Sequence, residues 1–98
     1  MTISKEVNGQ TLNVRVEGRL DTTTAPTLDK ELTASLEEIT ELVLDFEKLE
    51  YISSAGLRIL LSAQKTMNKK GTMIIRNVDE AIMEIFEVTG FSDILTVE

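Results

Sequence analysis

The chain has 98 residues, 42% of them hydrophobic and 28% charged, and a formal charge of −7, which suits a soluble globular protein with room for one domain and one core. It contains neither cysteine nor histidine, so disulfides, thiol chemistry, Ser/His/Asp or Cys/His arrangements and the usual zinc ligands are excluded. The acidic balance argues against nucleic acid and anionic lipid as partners. No apolar run approaches the roughly 18 residues of a membrane span and the N-terminus lacks a signal-peptide pattern, so the expectation is a cytosolic monomer without cofactor or metal that meets other proteins.

Residues 2 to 7 read as a first strand, and Asn8-Gly9 is a hairpin signal because both residues tolerate positive φ. Leu12, Val14 and Val16 then alternate with Asn13, Arg15 and Glu17, the pattern of a strand with one buried and one wet face, ended by Gly18. Arg19 to Thr24 form a polar loop rich in hydroxyls, with Thr23 or Thr24 placed to cap the next helix and Pro26 tolerated in its first turn. Leu28, Leu32, Ser35, Leu36 and Ile39 mark one face of that helix, and Asp29, Lys30, Glu31, Glu37 and Glu38 its outside.

The continuous apolar run Leu42-Val43-Leu44 within Glu41 to Phe46 reads as a central strand buried on both faces. A turn through Glu47, Lys48, Leu49 and Glu50 follows, and then Tyr51-Ile52-Ser53-Ser54-Ala55-Gly56, a junction leading into a second helix. Either serine stands where an N-cap belongs. Leu57, Leu60, Ala63 and Met67 share the buried arc of that helix, while Arg58, Ser62, Lys65 and Lys69 share another, and four of the chain's ten basic residues lie on or beside it. The helix reaches about Lys70, with Gly71 as a left-handed C-cap. Thr72 to Arg76 is a further strand, Asp79 caps a third helix whose Ile82, Ile85 and Phe86 face inward, Gly90 closes it, and Ile94 to Val97 is a short edge strand.

The order β-β-α-β-α-β-α-β describes a single α/β domain over residues 1–98: a mixed, mostly parallel sheet opened by a hairpin, with about three packed helices. In such sheets the loops after the strands' carboxyl ends gather at one edge, which would bring Arg19 to Thr24 and Tyr51 to Ala55 onto one surface.

Enzymatic sites are hard to build from these residues. The phosphate-binding Gly-x-x-x-x-Gly-Lys-Ser/Thr motif is absent, and Ser54 lacks both a Gly-x-Ser-x-Gly elbow and a histidine base. Asp45, Glu47 and Glu50 form an acidic group that reads as a solvated rim rather than a metal site. Asp21 either binds a partner or satisfies turn amides. Arg58, one turn after Ser54, is placed to pair with a phosphate there or simply to be solvated.

Gly18-Arg19-Leu20-Asp21, the amphipathic helix, the strand Leu42 to Phe46, the run Tyr51 to Leu57, and Val88-Thr89-Gly90-Phe91 together resemble the STAS domain family, and within it the bacterial anti-sigma factor antagonists, over nearly the whole chain. In that family an aromatic-apolar-Asp-Ser-Ser-Gly-Leu type of motif follows a strand, and the serine after the acid accepts a phosphate. Ser53 stands here in the acid's place, Ser54 in the acceptor's and Ala55 in that of the second serine, while Gly56-Leu57 match. The resemblance therefore implies Ser54 as phosphoacceptor, with Ser53 the alternative, and a partner surface of Asp21, Thr22, Thr23, Ser53, Ala55, Gly56 and Arg58. It also implies partner switching in bacterial transcription regulation: the unphosphorylated protein binds an anti-sigma factor with serine kinase activity, phosphorylation breaks the complex, and a serine phosphatase resets it. The absent acid motivates an alternative, a STAS module that senses a ligand or scaffolds a signalling assembly without a phosphate cycle.

Overall fold

The alternating apolar residues of β2 (Thr11–Leu20) become the axis of the sheet, with Leu12, Val14 and Val16 fully buried. In the computed structural model, which describes residues 1–98, β1 (Thr2–Asn8) runs antiparallel to β2 from Thr2 opposite Glu17 to Asn8 opposite Thr11. Only Gly9 of the hairpin signal takes a positive φ, 63°, so Asn8 belongs to the strand and the two-residue loop is Gly9-Gln10, the arrangement of a type II′ turn. On from the hairpin follow α1 (Ala25–Ser35) with a 3-10 turn at Leu36–Glu38, β3 (Glu41–Asp45), β4 (Leu49–Ile52), α2 (Ser54–Asn68), β5 (Thr72–Arg76), α3 (Glu80–Thr89) and a 3-10 turn at Phe91–Asp93.

The sheet is mixed and five-stranded, in the order β1-β2-β3-β5 with β4 also paired to β2. The pairs β2–β3, β3–β5 and β2–β4 are parallel, as crossover helices require. Leu12, Leu42 and Met73 lie side by side in register, as do Val14, Leu44 and Ile75. These rows join apolar residues of all three helices in one cluster of 23 buried residues, so the molecule has one core. The opposite sheet face carries Asn13, Arg15, Asp45 and Arg76 around Val43, and no helix residue lines the depression there.

The observed order differs from the expected one at two places. Leu49 to Ile52, read largely as a turn, is strand β4, and Leu49 and Ile52 are 2% and 3% exposed. Four residues, one of them Glu50, are too short to show a period, and only pairing with β2 makes them a strand. The terminal Ile94 to Val97 is not an edge strand: a 3-10 turn reaches Asp93, and only the single bridge between Ile75 and Val97 remains. The helix caps at Asp79 and Gly90 do form, with Asp79 Oδ1 accepting from the Ile82 amide at 2.9 Å and Gly90 at φ 82°.

Gly71 has a different role from the C-cap read for it. Helix α2 ends at Asn68 with a right-handed Lys69, and Gly71 has no positive φ. Instead the Gly71 backbone crosses directly over Thr40, where a Cβ would run into the Thr40 carbonyl oxygen, and the Thr72 amide donates to that same oxygen at 3.0 Å. Glycine is required there for close backbone approach. Gly71→Ala should therefore destabilise the protein by about 1–3 kcal/mol, as overpacking against unyielding backbone does, and urea unfolding will measure it; an unchanged midpoint would contradict the close approach.

Candidate functional site

The site is built where β2 and β4 end together. Arg19 pairs with Tyr51 and Leu20 with Ile52, after a slip of register between Gly18 and Arg19, and the Ser53 amide donates to the Leu20 carbonyl at 2.9 Å. The β2–α1 loop and the start of α2 therefore leave the sheet side by side, which puts the two hydroxyl-rich stretches at one edge.

Each stretch has its own internal support. The Asp21 carboxylate accepts from the Thr23 and Thr24 amides at 3.0 and 3.1 Å and from the Thr23 hydroxyl at 2.8 Å. The Thr24 hydroxyl accepts from the Asp21 amide at 2.8 Å and lies 2.8 Å from the Arg19 carbonyl, so it ties the loop back to β2 instead of capping α1. Asp21 thus satisfies turn amides, one of the two readings its residue type allowed. The Thr23 hydroxyl bond, with further help from the Thr24 and Thr23 amides, holds the Asp21 carboxyl below its ordinary value of 3.8 against the opposing effect of burial.

In the second stretch the two serines separate. Ser53 is the N-cap of α2 with extended backbone, and its Oγ accepts from the Gly56 amide at a long 3.4 Å. Ser54 is the first residue of the helix, exposed, and its hydroxyl makes no hydrogen bond within the protein. Gly56 is buried; a Cβ on it would lie 2.8 Å from both the Leu20 and the Ile52 side chains. Its lack of a side chain brings the helix down onto the two strand ends.

A bridge that the sequence did not single out joins the two stretches. The Arg19 guanidinium lies 4.3 Å from the centre of the Tyr51 ring, and its Nε is 3.8 Å from Asp21 Oδ2. Tyr51, read as an apolar residue of the junction into α2, is 38% exposed and serves as the platform for this cation–π contact. Knowing that β4 is a strand in register with β2 would have been the signal for it.

Of the residues proposed from sequence, Thr22, Thr23, Ser54 and Arg58 are exposed, Asp21, Ser53 and Ala55 are half-buried, and Gly56 lies beneath the surface. Asp45, from the acidic group, turns away from it: it accepts from the Asn77 side chain at 3.0 Å and the Glu47 amide at 2.9 Å and lies 3.8 Å from Arg15. No cluster of three metal-ligating side chains forms anywhere in the chain.

The depressed Asp21 carboxyl gives a pH signature. A folded-state value below the unfolded one contributes stability that is present above the ordinary carboxylate range and is lost as pH falls through the folded value. Asp21→Asn should therefore flatten the acid limb of the stability profile, narrowing the gap between variant and wild type from about pH 6 to about pH 2.5. Urea titrations at both pH values measure it, and parallel profiles would contradict the bonding described. Ser53→Ala removes the long cap bond and should cost about 0.5–1 kcal/mol, the lower part of the range for caps.

Comparison with known proteins agrees with this architecture. A STAS domain profile matches residues 2–98. An anti-sigma-B factor antagonist of Staphylococcus aureus is 31% identical over 86 residues, which are 86% of this chain and 80% of that protein. The crystal structure of an anti-sigma factor antagonist from Mycobacterium paratuberculosis superposes with a TM-score of 0.88 at 25% identity, covering 98% of this chain and 83% of that one. The phosphorylated form of the Bacillus cell fate determinant SpoIIAA has the same fold, with a TM-score of 0.78 at 19% identity over 99% of this chain and 91% of that one. With a family match across nearly all its length and a fold that superposes over 98% of the chain, the chain belongs to the STAS domain family, among relatives that are anti-sigma factor antagonists.

Proposed function

We propose that the chain acts as one domain and is an anti-sigma factor antagonist working by partner switching in the bacterial cytoplasm, as a regulator and not an enzyme. Unphosphorylated, it binds an anti-sigma factor with serine kinase activity through the edge formed by the Asp21 loop and the start of α2; phosphate on Ser54 releases it, and a serine phosphatase restores it. The observation that carries this reading is the separation of the serines: the Ser53 hydroxyl is engaged as the helix cap, while the Ser54 hydroxyl is exposed and unbonded. An existing phosphorylated form of a protein with this fold lends further support.

The physics of such a switch suits the edge. A phosphate adds about −1.5 to −2 charges to a junction made of Ser53, Ser54, Ala55 and Gly56, which has no charge and little bulk. A partner can approach that surface closely, so a doubly charged group in the contact costs desolvation and sterically blocks it. In the free protein the same phosphate is favoured by the positive end of α2 and by its unpaired first amides. The fold need not change for the partner to be lost.

Incubation with ATP and the anti-sigma factor kinase encoded in the same genome, followed by mass mapping, tests the assignment. Phosphate is expected on Ser54, absent in Ser54→Ala and retained in Ser53→Ala. Ser54→Asp should weaken kinase binding about tenfold or more while leaving the unfolding midpoint within about 0.5 kcal/mol of wild type. An active kinase that modifies no serine would sink partner switching. That result would favour a second reading, a ligand-sensing STAS module. Its supporting observation is a depression of about 400 Å³ on the helix-free sheet face, lined by Arg15, Asp45, Arg76 and Asn77 among others.

A further inference from the structure

From Tyr51 to Val78 the sequence contains no aspartate or glutamate, yet it carries Arg58, Lys65, Lys69, Lys70 and Arg76. All 17 acids lie in the remaining residues, together with the other five of the ten basic side chains. Two of the five cations in the acid-free segment are engaged: the Lys70 ammonium donates to the Leu36 carbonyl, and Arg76 pairs with Glu98 at 3.1 Å. Arg58, Lys65 and Lys69 are exposed and enter none of the molecule's ion pairs.

These three form a stripe on α2. At about 100° per residue they fall, with Ser62, within an arc of about 60°, and at about 1.5 Å per residue they extend about 16 Å along the axis. Their helical neighbours three and four positions away include Ser54, Ala55, Leu61, Ser62, Thr66 and Asn68, none of them acidic. Lys65 and Lys69 are like charges at i, i+4, which is destabilising for the helix. The macrodipole compensates such cations only near the C-terminus; Arg58 lies in the second turn, at the wrong end for it. An otherwise acidic protein thus keeps a basic stripe with no acidic side chain to pair it, which begins one turn after Ser54.

We propose that this stripe docks an acidic surface of the protein partner engaged at the Ser54 edge, an inference that rests on the reading of that edge given above. A protein is favoured over a polyanion because three cations over about 16 Å are few beside the 6–10 phosphate contacts of a typical nucleic-acid interface, and the surrounding acids repel an extended polyanion. The stripe also adds a second effect to phosphorylation. A phosphate on Ser54 stands at i−4 from Arg58 and is the first negative group within reach of it on the helix, so it draws Arg58 into an intramolecular pair and removes the nearest cation from the docking surface.

Salt gives the test its sign. Two proteins repelling through net charge associate faster as salt screens them, whereas docking through the stripe is slowed by salt. Association of the full chain with the purified anti-sigma factor kinase encoded in the same genome is measured by surface plasmon resonance at about 50 and about 300 mM NaCl. The wild-type association rate should fall severalfold with salt. Lys65→Glu/Lys69→Glu should lower it about tenfold at low salt with an unchanged circular dichroism spectrum, and Lys65→Gln/Lys69→Gln should lie between. A wild-type rate that rises with salt, or reversal variants that bind as the wild type does, would overturn the stripe while Ser54→Asp still reports on the edge. Failure of the wild type to bind would overturn both readings. Capture of duplex DNA or phosphatidylglycerol vesicles that is lost in Lys65→Glu/Lys69→Glu would overturn the protein assignment and give the stripe to that polyanion.

Discussion

Everything at the candidate edge depends on a short piece of backbone pairing: three residues of β2, Gly18 to Leu20, bonded in parallel to β4 and finished by the Ser53 amide on the Leu20 carbonyl. This pairing makes the Asp21 loop and the start of α2 neighbours, although Asp21 and Ser54 are 33 residues apart in the chain. It also puts Arg19 beside Tyr51, so that one guanidinium contacts both an aromatic face on the neighbouring strand and the Asp21 carboxylate in the loop that follows its own strand. Beneath it, Gly56 lets α2 sit directly on Leu20 and Ile52. A bulkier residue at Gly56 would lift the serines away from the loop they share a surface with.

The edge divides its hydroxyls between construction and exposure. Ser53, Thr23 and Thr24 spend theirs on helix and loop amides or on carbonyl and carboxylate oxygens, which keeps the backbone groups at the strand ends satisfied. Ser54 and Thr22 are left without such bonds. A surface built this way is rigid where it is framed and chemically available at a single helical position. The charge pattern has a matching division, since the acids surround the fold while the segment around Ser54 and along α2 carries only positive groups. Ser53 fits this, since it caps the helix without adding a charge, and a serine does so as well as an aspartate.

Much of the fold could be read from residue pattern because the relevant forces are local and periodic. Leu12, Val14 and Val16 at period two, Leu28 and Leu32 or Leu57, Leu60, Ala63 and Met67 at helical spacing, and the unbroken Leu42-Val43-Leu44 each state how many faces are buried. Asp79 and Gly90 announce their cap roles through side-chain chemistry that needs no distant partner. The serines at the junction were legible as a helix start on the same grounds.

What tertiary structure decided is where distant backbone meets. Leu49 to Ile52 has no period of its own and becomes a strand only against β2; Ile94 to Val97 has strand-like residues but finds a single bridge. Gly71 looks like a helix terminator in sequence and proves to be a crossing point over Thr40, a contact between segments 31 residues apart. Between Ser53 and Ser54 the sequence by itself allowed either as the cap, and the backbone turn into α2 chose Ser53. The composition determined that the chain would be an acidic, one-core protein without thiol or imidazole chemistry. Only the register between β2 and β4, a long-range hydrogen-bond pattern that local propensity does not encode, decided that its hydroxyl-rich stretches would form one edge.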